Sequence, residues 1–139
     1  MRLHHVQVSM PRGQEEVARA FYGVALGLTE VDKPAVLAGR GGAWFRAVSA
    51  GTVVAEIHLG VEEPFVPAGK AHPALLLGDV DALETLAERI EGAGFEVSWT
   101  ERDTFTGFIR FYSRDGFGNR VELLAPAPTQ SATEQSGEE

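Results

Sequence analysis

The sequence predicts an α+β domain built from two copies of a βαβββ unit. Three observations carry that prediction. Short segments alternate polar and apolar residues with the period of a half-buried strand. Only two segments carry helical spacing, and each follows a first strand. The pattern also repeats itself: His5 and His72 are 67 positions apart, and so are Gly27 and Gly94, the glycines that stop the two helices. Two copies of so long a period make an internal duplication, not a solenoid.

At 139 residues the chain has the length of one domain with a full hydrophobic core. We expect that domain over residues 1–126, with modules at about 3–61 and 71–125. Residues 3–9 alternate, Val6 and Val8 on one face and His5 and Gln7 on the other, as a strand does. Pro11 to Gly13 breaks it, and 14–26 places Val17, Phe21, Val24 and Ala25 at near-helical spacing. Residues 28–31 read as a short strand, and Pro34 and the Gly39–Gly42 cluster as turns. The cluster lacks the Lys-Ser/Thr and the strand-to-helix setting of a phosphate loop. Residues 43–48 and 53–59 read as a strand pair. Trp44 and Arg46 share one face of the first, and Glu56 and His58 share the polar face of the second.

After a Pro- and Gly-containing connection at 62–69, the pattern recurs. Residues 71–77 form a strand, Asp81 and Glu84 a capping-box start for a helix that buries Leu83, Leu86, Ala87 and Ile90, and 95–99 and 108–113 two more strands. Arg110 lies between Phe108 and Tyr112. The last strand follows the turn Asp115-Gly-Phe-Gly-Asn. In it Val121 and Leu123 turn one way, so Glu122 is delivered to the opposite face together with Arg120. From residue 127 to 139 the chain lacks apolar residues that would offset ordering entropy, and we expect a disordered tail.

Composition narrows the chemistry. A net charge of −8 offers no basic stripe for nucleic acid and makes a small organic substrate the simpler partner. Zero cysteines removes disulfides and thiolate sites and leaves histidine and carboxylate as the strong metal ligands. The first residues lack a signal-peptide core and no run is long enough to span a membrane, so no membrane partner and a cytoplasmic location are expected. All four histidines, His4, His5, His58 and His72, fall in predicted strands. By strand parity His5, His58 and His72 take the less apolar face and His4 does not. If equivalent faces of the two halves meet, His5, His72 and Glu122 converge with Glu56 or His58. Two imidazoles and a carboxylate suit one divalent ion of Zn, Ni, Co, Mn or Fe and leave positions open for substrate.

The two βαβββ halves, His5-Val-Gln-Val, Phe21-Tyr22 followed by Leu26-Gly27-Leu28, His72 and Asp115-Gly-Phe-Gly-Asn-Arg-Val-Glu122 resemble the vicinal oxygen chelate superfamily. That group contains glyoxalase I, fosfomycin-resistance transferases, extradiol dioxygenases and bleomycin-resistance proteins. The resemblance implies a curved mixed sheet around a cavity and metal ligands on the first and last strands of each module. Those positions match His5, His72, Glu122 and a fourth-strand residue. The repeat offset favours Glu56 for the fourth, with His58 its rival two residues along; if His58 is the ligand, Glu56 is the spare carboxylate that could serve as base, and Glu56 and Glu122 are the candidate catalytic residues. Trp44, Arg46 and Arg110 are candidate substrate contacts. Two readings follow: a glyoxalase-like enzyme whose metal binds vicinal oxygens (lyase, isomerase or dioxygenase), or a metal-free protein that sequesters a ligand as bleomycin-resistance proteins do. A homodimer is expected for either.

Overall fold

A computed structural model describes residues 1–129, so all but the first three residues of the expected tail lie outside the described residues. The elements are β1 (Val6–Met10), α1 (Glu15–Ala18), a π-helical turn (Arg19–Ala25), β2 (Thr29–Val31), a 3₁₀ segment (Ala35–Arg40), β3 (Ala43–Ser49) and β4 (Thr52–Val61). The second module comprises β5 (Ala74–Leu76), α2 (Val80–Gly92), β6 (Val97–Ser98), β7 (Phe108–Arg114) and β8 (Arg120–Pro126). Each module is a four-stranded mixed sheet of the same topology, ordered β1-β4-β3-β2 and β5-β8-β7-β6. The outer pair is parallel (β1 with β4, β5 with β8) and the other pairs are antiparallel. Two βαβββ halves are therefore the architecture, as the sequence predicts.

Alternation along the strands sorts side chains onto two faces. Phe45, Ile57 and Leu59 from the first sheet and Phe111, Val121 and Leu123 from the second turn inward, where they share one core with Phe21, Tyr22, Leu83 and Ile90 of the helical segments. Both helical segments thus cover the same side of the molecule. The second is tied to the first by Arg89, whose Nε donates to the Val24 carbonyl at 3.0 Å, a cation set on the last carbonyls of a helix.

Several local expectations need correction. The first helical segment is not a regular α-helix: Leu26 N–H bonds to the Phe21 carbonyl, five residues back, at 2.8 Å. This wider winding rotates Val24 out to solvent, at 63% exposure, and turns Tyr22 into the core. The cap of α2 is Asp79, which accepts from Ala82 N–H at 2.8 Å, two residues before the predicted Asp81. Only His58 lies within a strand. His4 and His5 precede β1, whose ladder begins at Val6, and His72 precedes β5 because Pro73 has no N–H to give the ladder. Among the described residues no helix is long and apolar enough to cross a membrane.

The modules are stapled by the turn before β8. Asp115 is 5% exposed, and its two carboxylate oxygens accept four donors: Phe117 N–H and Asn119 N–H at 2.9 Å, Asn119 Nδ2 at 2.9 Å, and the Tyr22 hydroxyl at 2.7 Å. Asn119 Nδ2 also donates to the Ser9 carbonyl on β1 at 2.8 Å. Gly116 fits the same crossing, since a Cβ there would stand 2.3 Å from Val17 Cγ1. Tyr22→Phe is expected to cost about 1 kcal/mol in urea unfolding, and Asp115→Ala about 3 kcal/mol because it strands buried donors. The double variant should cost less than the sum, since both changes remove the same bond; strict additivity would show that Tyr22 and Asp115 do not act together.

Candidate active site

The face turned away from the helices carries the polar residues. In the first sheet these are Trp44 and Arg46 on β3 and Glu56 and His58 on β4, with Trp44 opposite His58 and Arg46 opposite Glu56. In the second they are Arg110 and Tyr112 on β7 and Arg120 and Glu122 on β8, with Tyr112 opposite Glu122. Among the described residues no helix covers this face, yet Glu56, His58 and Glu122 are only 7%, 4% and 4% exposed, because neighbouring side chains enclose them.

In the first half-site, His58 Nε2 lies 3.0 Å from Glu56 Oε1, and the His58 ring is sandwiched between Trp44 (centroids 3.8 Å apart, planes at 2°) and His5 (4.1 Å, 17°). His5 Nδ1 in turn meets His4 Nδ1 at 2.9 Å, so His4 sits beside the site instead of on the core face. Burial holds the His58 pKa below its ordinary value, an effect that the Glu56 hydrogen bond opposes. Glu56 is held below the usual carboxylate range, chiefly by that hydrogen bond and then by Arg46. A neutral imidazole with a free lone pair beside an ionised carboxylate is the state in which both are donors to a cation. Arg46 Nε is 3.1 Å from Glu56 Oε1 but poorly aligned, so the pair is electrostatic and the buried Nε–H lacks an acceptor.

In the second half-site, His72 Nε2 lies 3.1 Å from Glu122 Oε1, while His72 Nδ1 meets the Lys70 carbonyl at 2.8 Å. That carbonyl can only accept, so it takes a proton from Nδ1 and orients the ring with Nε2 toward Glu122. Arg110 is committed to the protein: it donates to Glu122 and Tyr112 hydroxyl through Nη1, to the Glu101 carbonyl through Nε and to Thr104 through Nη2. Desolvation, then the Glu122 carboxylate, raises the Tyr112 pKa.

Within one chain the candidate ligands therefore form two separate pairs. Among the described residues, no three His, Asp or Glu side chains come together as a metal site. The register also re-aligns the halves. His58 stands opposite Gln7, two residues after His5, and Glu122 stands opposite Ala74, two residues after His72. The counterpart of Glu122 is thus His58, and the counterpart of Glu56 is Arg120. The uniform repeat offset misses this because the β3–β4 hairpin is longer: 14 positions separate Trp44 from His58, but 10 separate Tyr112 from Glu122. Arg120, on the strand that delivers Glu122, is the facing residue that the sequence reading left without a role; its parity with Glu122 was the available signal.

A family model for the Glyoxalase/Bleomycin resistance protein/Dioxygenase superfamily matches residues 2–123. No curated protein sequence matches the chain. Among solved structures, a protein from Bacillus anthracis assigned to the glyoxalase family is 40% identical, with a TM-score of 0.76 over 91% of this chain and 100% of its own. The fosfomycin resistance protein FosX from Listeria monocytogenes, as a mutant complexed with Mn(II) and 1S,2S-dihydroxypropylphosphonic acid, is 20% identical, with a TM-score of 0.65 over 91% of this chain and 90% of its own. An integron cassette protein from the V. Cholerae mobile metagenome is also 20% identical, with a TM-score of 0.66 over 91% and 96%. At that identity the last two likenesses establish the fold alone.

Acidification acts on the first half-site with a definite sign. Folded-state pKa values of His58 and Glu56 both lie below their ordinary ones, so the unfolded chain takes up protons first and stability is lost as pH falls. His58 contributes below about pH 6.5 and Glu56 below about pH 4.3. In an NMR titration His58 should protonate below the ordinary histidine range, and Glu56→Gln should move its midpoint lower still. A midpoint that rises in that variant contradicts the hydrogen bond's assigned role.

Proposed function

We infer the function from one premise: the chain belongs to the glyoxalase/bleomycin resistance protein/dioxygenase superfamily, the vicinal oxygen chelate group. On our reading it is a metal-dependent enzyme that acts on a small molecule able to chelate a divalent ion through neighbouring oxygens. The observation that carries this reading is the paired half-sites, each with an imidazole Nε2 about 3 Å from a carboxylate oxygen on the face that the helices leave free. The donor set fits such an ion: neutral imidazole and ionised carboxylate, with no thiolate. Mn(II) beside a small organic acid in the FosX structure supports the same chemistry.

His5, His58, His72 and Glu122 would hold the ion. Because one chain brings them together only in pairs, the reading includes a homodimer in which the first half-site of one copy meets the second half-site of another. When bound, the ion supplies a Lewis acid for the substrate's oxygens. Glu56 is the carboxylate left over, ionised and within hydrogen-bond distance of His58, and it acts as the base that takes a proton from substrate. Trp44 supplies a flat apolar wall against which His58 is stacked, and Arg46, beside Glu56 with an unfilled Nε–H, orients a substrate oxygen. Arg110 holds Glu122 and Tyr112 in place, and the shell of buried side chains excludes water from the carboxylates.

Protein purified without chelator should carry close to one divalent ion per chain, sediment as a dimer, and lose about 4 kcal/mol of stability on metal removal if the free ion stood near a thousand times its Kd. His72→Ala and Glu122→Ala should carry little metal while remaining folded. Equal and negligible metal in all three proteins would sink the metalloenzyme and leave the ligand-sequestering alternative.

A further inference from the structure

Arg120 stands without an anionic partner among the described residues. Its cross-strand partner on β7 is Arg114, so two like charges stand directly opposite each other on one face of a sheet, an arrangement that costs stability. Arg114 finds the Gly118 carbonyl at 3.0 Å. Arg120 has no carboxylate within ion-pair distance among the described residues: Glu122, its neighbour on that face, is already engaged by His72 and Arg110. The Arg120 guanidinium instead lies over the Tyr112 ring, 3.7 Å from its centre. A guanidinium stacked by its face keeps its N–H edges free, and those edges form the fork that matches a carboxylate or phosphoryl group.

Two grooves open beside it. One, of about 210 Å³, is lined by Ser98, Thr100, Tyr112, Arg114 and Arg120, with Glu96 exposed at its rim. Glu101 also borders it, but its carboxylate accepts from Thr104 Oγ1 at 2.8 Å. The other, of about 450 Å³, runs along the junction of the modules past Val6, Gln7, Val66 and His72. Arg120 is the residue that lines both. In a chain with 12 Lys and Arg against 20 Asp and Glu, Arg110, Arg114 and Arg120 share a sheet face on which β7 and β8 contribute one carboxylate, Glu122.

The geometry points to Arg120 as a specificity-determining anchor for a substrate that carries an oxyanionic group, a carboxylate or a phosphoryl-type group, in addition to its metal-chelating oxygens. This rests on the enzymatic reading above. Arg120 and Glu122 are two residues apart on one face of β8, and the Arg120 guanidinium lies over Tyr112, the cross-strand partner of Glu122, so the anion would flank the oxygens at Glu122. The module with an arginine at this register position thereby holds the charged end of the substrate, while the module with a carboxylate there, Glu56, supplies the base of the reading above.

The test uses the full chain stripped of metal with EDTA, so that it does not depend on the ion. Inorganic phosphate and acetate are titrated separately by calorimetry, and the arginine Nε–H signals are followed by NMR. At least one anion should bind the wild type and shift the Arg120 Nε–H signal more than that of Arg102, and Arg120→Gln should weaken binding at least tenfold. Which anion binds tells the phosphoryl from the carboxylate class. Binding of neither anion, an unmoved Arg120 signal, or an equal loss in the remote Arg12→Gln overturns the proposal. The NMR readout on wild-type protein stands even where Arg120→Gln does not fold. Metal content of Arg120→Gln purified without chelator, expected to equal that of wild type, keeps this result separate from the metal reading: anion binding by the stripped protein together with negligible metal in both proteins as purified refutes the enzyme and keeps the anchor.

Discussion

The buried carboxylate of Asp115 is the constraint on which the relative placement of the modules depends. A charge removed from water is tolerated when its lone pairs are filled, and here four donors fill them. Two of those donors belong to the turn's own backbone and shape it. The Tyr22 hydroxyl comes from the other module, and Asn119 passes the connection on to β1 through Ser9. Because β8 begins at the next residue, Arg120, the same bonds that close the turn also set the height and register of the strand carrying Glu122. The motif looks like a loop signature, but its work is to lock a helix, a turn and two strands together.

From that fixed frame the polar face follows with little further choice. Both helical segments cover one side, so every second strand residue on the other side is released from core duty. Glu56 and Glu122 are then enclosed without being buried in apolar surroundings: each has an imidazole and an arginine at about 3 Å. Such partners lower the cost of desolvating a carboxylate, and they hold the pKa of Glu56 below its ordinary value. Imidazole and guanidinium differ in what they leave open. The arginine is a permanent cation, whereas a histidine in its neutral form would be able to exchange its carboxylate for the ion proposed above.

Much of this was legible in the sequence because it depends on periodicity. The period-2 pattern around Ile57 and Val121 fixes which side Glu56, His58 and Glu122 occupy, and the period-3.6 pattern at Leu83, Ala87 and Ile90 fixes the buried face of α2. What escaped depends on hydrogen bonding or on length. Residues 19–25 have helical spacing, but the winding is π, and no side-chain pattern distinguishes a bond to the fifth residue back from one to the fourth. The 3₁₀ segment at Ala35–Arg40 sits between a proline and two glycines that mask it as a turn. The extra length of the β3–β4 hairpin, with a bulge at Ala47 and Val48, slides β4 against β8 and makes His58, not Glu56, the partner in register of Glu122. Separation of the candidate ligands into two pairs is a property of how sheets are placed, and strand parity carries no information on that.

The same slide explains how one duplicated backbone yields two unlike halves. At equivalent register positions β4 carries Glu56 and β8 carries Arg120, and at the next facing positions β4 carries His58 and β8 carries Glu122. Two copies of the first face brought together would set Glu56 against Glu56, and two copies of the second would set arginine pairs against each other. Like charges in a partly desolvated contact repel strongly, since the effective dielectric there is far below that of water. A first face against a second places acid opposite base at the same register. In the homodimer proposed above, the divergence of these few facing residues would favour meeting of unlike halves, the arrangement that reading needs to bring imidazoles and carboxylates from both modules around one point. The backbone repeat supplies the geometry, and the departure from it would supply the selectivity of such an assembly.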